Sequence, residues 1–166
     1  MIKEAELHDA PEIARIIVSA WEIAYKGIID QNYADNMKAD RFIEIMENNI
    51  QQKKESIFIY RENEKAAGFI SGKLLINSPY NCEIVGLYVL PKFQNMGIGE
   101  KLLGHAMKFY SQLNCRKMII WTLKGAKNNS FYIKNGGRIA EEKKLNIGDK
   151  EYAGIGFVFD MPASFN

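Results

Sequence analysis

The 166-residue chain predicts an α+β fold: a mixed, mainly antiparallel sheet flanked by helices, with one parallel β-α-β crossover. Three observations predict it. Short apolar, β-branched runs come in pairs joined by polar turns, the pattern of hairpins. Stretches with an apolar period near 3.6 residues separate these runs. Only one place, residues 82–123, has the form strand, long amphipathic helix, strand; a connection of that length makes its strands parallel and its crossover right-handed.

In chain order, Ile2 to Leu7 reads as a first strand. Asp9-Ala10-Pro11-Glu12 reads as a helix start, with an Asp cap and Pro in the first turn. Ile13, Ile16, Ile17, Ala20, Trp21 and Ala24 then recur at helical spacing through Tyr25, and Gly27 ends the helix. Residues 28–35 read as a loop or short broken helix containing Tyr33. A second helix is expected from Lys38 to Gln51, with Asn36 as its cap. Ser56–Tyr60 and Ala66–Leu75 form a hairpin around the polar turn 62–65. The apolar run Ile84–Leu90 stops at Pro91, and a helix follows from Ile98 to about Leu113. Lys117–Leu123 is a buried strand, Asn128–Asn135 a short helix closed by Gly136-Gly137, and Arg138–Asn146 and Glu151–Phe159 a last hairpin. No repeat, linker or low-complexity segment interrupts this order, so a single domain over 1–166 is expected.

Composition excludes several classes of function. Hydrophobic residues make up 47%, enough for a packed core. With 22 Lys+Arg against 20 Asp+Glu the net charge is +2, too balanced for nucleic acid or an anionic membrane as main partner. No apolar stretch is long enough to span a bilayer and the N-terminus lacks a signal-peptide core, so a cytoplasmic protein is expected. Cys82 and Cys115 form no C-x-x-C pair and read as buried, reduced thiols, with no metal site suggested.

The most informative stretch is 82–103. Between strand and helix stands Gln94-Asn95-Met96-Gly97-Ile98-Gly99, which offers bare backbone N–H groups at the positive end of a helix, a site for an anion. The pattern is neither a Walker A loop nor a dinucleotide fingerprint, since Leu102 stands where a third glycine is required. Taken alone, the two glycines also fit a plain tight turn. Leu87-Tyr88-Val89-x-Pro91-x-x-Gln94-x-x-Gly97-x-Gly99-x-x-Leu102-Leu103 resembles the acetyl-CoA-binding motif of the GNAT superfamily of N-acetyltransferases, and Phe131-Tyr132-x-x-x-Gly136-Gly137 resembles its second motif. With the element order, the resemblance covers nearly the whole chain.

That resemblance implies splayed central strands, a bulge that Gly86 would ease, and acetyl-CoA as co-substrate without a metal. It implies that Leu87 and Val89 offer backbone groups to the pantetheine arm, that an N–H near Tyr88 polarises the thioester, and that the turn from Asn95 through Met96, Gly97, Ile98 and Gly99, with Glu100, holds the pyrophosphate. Lys92 and Lys101 are expected to add charge nearby. In the family, a pantetheine-binding Asn often stands where this chain has Gly125; either Asn128 substitutes for it from a shortened loop or that contact is missing. Tyr132 is implied as the acid that protonates the leaving thiolate, against the plainer reading of a core aromatic. Glu83 is a candidate base, placed by strand alternation on the face of Val85, Leu87 and Val89; a solvent-facing or charge-reading Glu is the alternative.

On the acceptor side, Trp21-x-x-x-Tyr25-x-Gly27-Ile28-Ile29-x-x-x-Tyr33 resembles a stretch in small bacterial GNAT enzymes, some of which acetylate polyamines or other small amines. Trp21, Tyr25 and Tyr33, with Glu22 and Asp30, would form a partly acidic aromatic pocket, although Trp21 also fits the apolar stripe of its helix. The implied function is acetyl transfer to a small-molecule or peptide amine, in a monomer or homodimer. The alternative is a non-catalytic acyl-CoA-binding sensor.

Overall fold

The computed structural model describes residues 1–162; the last four residues of the expected domain, 163–166, lie outside the described residues. Seven strands form a single sheet: β1 (Ile2–Glu4), β2 (Ser56–Glu62), β3 (Lys65–Leu74), β4 (Cys82–Val89), β5 (Lys117–Leu123), β6 (Arg138–Ile147) and β7 (Lys150–Asp160). Their spatial order is β1-β2-β3-β4-β5-β7-β6, and only β4 and β5 run parallel. Among the described residues five α-helices accompany it: α1 (Ala10–Ala24), α2 (Gln31–Asp35), α3 (Ala39–Gln51), α4 (Ile98–Gln112) and α5 (Asn129–Lys134). The expected mixed, mainly antiparallel sheet is therefore present, with residues 28–35 resolved as a short helix between two turns.

Apolar periodicity explains the layers. Ile13, Ile16 and Ile17 of α1 pack with Met46 of α3 against Ile57, Ile59 and Phe69 on one sheet face. Leu102, Leu103, Ala106 and Tyr110 of α4 pack with Ile70, Ile84, Met118, Ile120 and Phe157 on the other, together with Tyr132 of α5. A third cluster joins Tyr25 and Ile29 to Leu123 and Ala126, with Tyr33, Leu145 and Tyr152 against it.

Two expected caps are corrected. Asp9 does not cap α1; its carboxylate accepts from the Glu6 N–H at 2.8 Å and pairs with Arg61. Burial alone would raise its pKa, but the Glu6 N–H and the Arg61 guanidinium outweigh that and lower it. Asn36 does not cap α3 either, since its amide donates back to the Asn32 carbonyl at 2.7 Å. Cys82 and Cys115 are free and buried.

The central feature is the parting of β4 from β5. Their pairing covers only Cys82, Ile84 and the residue between, opposite Met118 to Ile120, although both strands continue further. A bulge lies beside the break: Gly72 faces Ile84 and Ser71 faces Gly86, leaving Val85 as the extra residue. Gly86 itself must be small because a Cβ there would meet the Tyr88 ring at 2.8 Å. The bulge reverses the alternation of β4. Cys82 and Ile84 face the α4 side before it, and Leu87 and Val89 face that side after it. Glu83 therefore points to the opposite face from Leu87 and Val89, a correction to simple alternation.

Candidate active site

Past the break, β4 has no partner on its β5 side among the described residues. The Leu90 N–H bonds the Ala67 carbonyl at 2.8 Å, so antiparallel alternation directs the Tyr88 N–H toward β3. The N–H groups of Leu87 and Val89 consequently face the opening. Of the N–H groups near Tyr88, these two are open to the cleft and that of Tyr88 itself is not.

Beyond Val89 the chain turns through Pro91–Phe93 into α4. The Gln94 amide reaches back to the Val89 carbonyl at 3.0 Å and so ties the turn to the strand end. Asn95 and Gly97 are both left-handed, at φ 60° and 74°. The first bond of α4 runs from the Lys101 N–H to the Gly97 carbonyl at 3.1 Å, which leaves the N–H groups of Ile98, Gly99 and Glu100 at the positive helix end. The two glycines serve different ends. Gly97 needs its left-handed φ and has open space around it, whereas a Cβ on Gly99 would meet the Phe131 ring at 3.1 Å.

These groups share one cleft of about 390 Å³. Leu87, Tyr88, Val89, Gln94, Asn95, Gly97, Ile98, Gly99, Glu100, Asn128 and Tyr132 all line it; Met96 does not. α5 supplies the opposite wall with Phe131 and Tyr132, and α1 supplies Ala20, Ile23 and Ala24. Asn128 precedes α5 without capping it, and its Oδ1 is buried with no hydrogen-bond partner among the described residues. An orphaned acceptor beside a helix N-terminus fits a ligand carrying both amide N–H groups and anionic phosphates. Lys92 and Lys101 do not reach the cleft: each lies over an aromatic ring, Phe93 and Tyr60 respectively. The cation that lines it is Lys127.

Tyr132 is buried and packs against Phe131 and Phe157, with ring centroids 5.4 and 5.2 Å away. Burial first, and neighbouring Tyr25 second, raise its pKa, so the phenol holds its proton through neutral pH. Tyr25 and Tyr88 are raised as well, foremost by burial. The Trp21 indole N–H donates to the Tyr88 hydroxyl at 3.0 Å, and the Trp21 ring meets Tyr25 edge-on at 4.9 Å.

Glu83 does not line the cleft; it faces Lys73 at 3.6 Å on the neighbouring strand. A second cavity of about 310 Å³ lies at the end of α1, lined by Trp21, Glu22, Tyr25, Lys26, Gln31 and Asp35 among others. Tyr33 and Asp30 are absent from its lining. Asp30 accepts the Tyr33 N–H at 3.0 Å as the cap of α2 and pairs with Lys150, while the Tyr33 ring covers Gly148. α2 therefore turns both residues toward the β6–β7 hairpin, away from the pocket expected for them.

A model of the acetyltransferase (GNAT) family matches residues 16–136. The chain belongs to that family. Among its relatives, the N-acetyltransferase YuaI of Bacillus subtilis (strain 168) is 25% identical over 134 residues, 79% of this chain and 76% of YuaI. The fold is similar to PaiA N-acetyltransferase from Thermoplasma acidophilum, solved in complex with coenzyme A, at TM-score 0.80 and 20% identity over 96% of this chain and 98% of that one. It is also similar to yncA of Salmonella typhimurium, solved with acetyl-CoA, at TM-score 0.70 and 16% identity over 100% of this chain and 96% of that one. In this GNAT acetyltransferase, Lys127 and the α1 wall escaped sequence reasoning because both depend on how α1 and α5 close over the parted strands. The Tyr88 hydroxyl escaped it because nothing in a strand pattern says where a phenol ends.

Proposed function

We propose that the enzyme transfers an acetyl group from acetyl-CoA to a primary amine by direct attack. The observation that carries this reading is the single cleft in which the α4 N-terminus, the unpaired edge of β4, the orphaned Asn128 Oδ1 and the Tyr132 phenol meet. The N–H groups of Ile98, Gly99 and Glu100 would take the pyrophosphate, with Lys127 adding charge. Asn128 would accept from a pantetheine amide, and the N–H groups of Leu87 and Val89 would bond the arm and the thioester carbonyl.

The neutral amine attacks the thioester carbon, the C–N bond forms, and the C–S bond breaks. Tyr132 gives its proton to the departing thiolate. The proton lost by nitrogen leaves through water, with Glu83 the proposed base on the sheet face that α1 covers. The second cavity, with Trp21 and Tyr25 beside the carboxylates of Glu22 and Asp35, supports a small cationic amine such as a polyamine as acceptor. A cytoplasmic location belongs to the same reading, supported by two free, buried thiols.

The test is acetyl-CoA consumption against a panel of amines, read as free thiol, beside a melting curve with acetyl-CoA. Turnover with one amine class and a raised Tm are expected. No Tm shift at saturating acetyl-CoA would overturn the reading; a shift without turnover on any amine would leave a non-catalytic binder.

A further inference from the structure

Lysines on and beside the β6–β7 hairpin pair with carboxylates, with one exception. Lys144 pairs with Glu151 at 2.8 Å, Lys124 with Glu142 at 3.3 Å, and Lys150 with Asp30. Lys143 makes no ion pair among the described residues. Its ammonium stands over the Trp121 ring, 3.8 Å from the centroid. Glu141, two residues back on the same face of β6, is engaged by the Tyr80 hydroxyl instead. A cation this close to an indole face is held by the quadrupole of the ring.

The ring stands at a telling place. Ile120 is the last residue of β5 that pairs with β4, so Trp121 is the first residue past the parting. Met118 and Ile120 face α4, so Trp121 faces the opposite side of the sheet. Gly156 of β7 lies opposite Trp121, and a Cβ there would meet the indole at 3.2 Å. Bare backbone on β7 thus makes room for the half-buried ring. Two carboxylates belong to the same face. Glu83 pairs in register with Ile119, two residues before Trp121, and Glu141 pairs with Gly156. Leu145, next along that face of β6, packs with Tyr25 and Ile29 of the second cavity.

We propose that the Trp121 ring is a specificity subsite for an acceptor that carries a second positive charge, and that the Lys143 ammonium is its built-in occupant. This rests on the acetyl-transfer reading above. Glu83, the proposed base there, shares the face of the ring, so an amine that loses its proton toward Glu83 arrives beside Trp121. The reacting nitrogen must be neutral, so the charge the ring holds belongs to the other end of the acceptor. Lys143 shows the chemistry that fits: a primary ammonium on an unbranched four-carbon stem. The acceptor displaces it. The attacking nitrogen forms the C–N bond as the C–S bond breaks, while the held ammonium keeps its proton and its charge. Its attraction to the ring is the same before and during the reaction, so the subsite sets KM for the acceptor and not kcat. Lys143 competes for the same ring and raises that KM.

The experiment uses the full chain with saturating acetyl-CoA and two probes, putrescine and n-butylamine. They share a stem, and only putrescine has a second ammonium. Wild type, Trp121→Leu, Trp121→Phe, Lys143→Met and the double variant Trp121→Leu/Lys143→Met are compared. The ratio of the n-butylamine KM to the putrescine KM cancels any general damage to the fold. It is expected to fall by about 5- to 30-fold in Trp121→Leu, the worth of a cation on an indole face, and by less in Trp121→Phe. Lys143→Met is expected to lower the putrescine KM by about 2- to 5-fold, and to do so by less than about twofold once Trp121→Leu is present. A ratio that Trp121→Leu leaves in place, a putrescine KM that Lys143→Met leaves level or raises, or a wild-type enzyme that takes n-butylamine as readily as putrescine would each overturn the inference while leaving acetyl transfer intact. A wild-type enzyme that consumes no acetyl-CoA with any amine would overturn both.

Discussion

Removing the Tyr132 hydroxyl separates chemistry from stability. In Tyr132→Phe the ring keeps its contacts with Phe131 and Phe157, at 5.4 and 5.2 Å between centroids. Among the described residues no hydrogen bond reaches the hydroxyl, so its loss orphans no partner. Tm is expected to stay level or to rise by up to about 2–4 °C, the equivalent of about 1 kcal/mol in a chain of this size. The rate is a different matter. An acid positioned on the leaving sulfur contributes about 10²- to 10⁴-fold, or about 2.7–5.4 kcal/mol of barrier. That loss is expected in kcat, with acetyl-CoA KM nearly unchanged, in a thiol-release assay run beside a calorimetric scan. Turnover within about twofold of wild type would remove Tyr132 from the acid role. A Tm lower by more than about 5 °C would show that the hydroxyl has a structural partner.

Gly97→Ala and Gly99→Ala should fail differently. The first meets no atom within 4 Å but holds φ at 74°, so it should cost about 1–2 kcal/mol of stability by denaturant titration. The second pushes on the Phe131 ring from 3.1 Å, and its effect should appear as higher acetyl-CoA KM and lower kcat. Equal kinetic profiles for the two would refute the division. Tyr25, Tyr88 and Tyr132, whose pKa values burial raises, bind their protons more tightly in the folded state. Their contribution to stability is complete below the unfolded tyrosine pKa of about 10 and is lost as pH climbs above it. Melting curves should therefore fall steeply above about pH 10, with tyrosinate absorbance rising in step with unfolding; a flat Tm to pH 11 would contradict the assignment. Gly137→Ala would place a Cβ 2.6 Å from Phe159 and 2.9 Å from the Tyr132 carbonyl, an overpacking that should cost about 1–3 kcal/mol in urea titration. A neutral result would mean that α5 and β7 yield at that point.

Periodicity carried most of the fold into view. The strand Lys117–Leu123 falls where its β-branched run predicts, and both hairpins and the crossover follow from turn residues and apolar spacing. The turn at 94–99 was legible because a strand that runs straight into a glycine-bearing helix start has few other physical uses. What failed depends on contacts distant in sequence. Asp9 looks like a cap from its neighbours, but Arg61 claims it. Glu83 looks as if it shares a face with Leu87 and Val89 until one extra residue at Val85 turns it over. Tyr33 and Asp30 look like pocket residues until the β6–β7 hairpin occupies them. Trp21 fits an ordinary apolar stripe, and only the approach of Tyr88 reveals what its indole N–H does.

The attachment of α2 to the β6–β7 hairpin has a consequence for how such a protein diverges. It consists of the Asp30–Lys150 ion pair, the bond from the Asp30 N–H to the Tyr152 hydroxyl and the Tyr33 ring on Gly148. None of these residues lines the cleft built on β4, α4 and α5. The two segments can therefore be rewritten together, in length or in charge, while the machinery for the donor stays as it is.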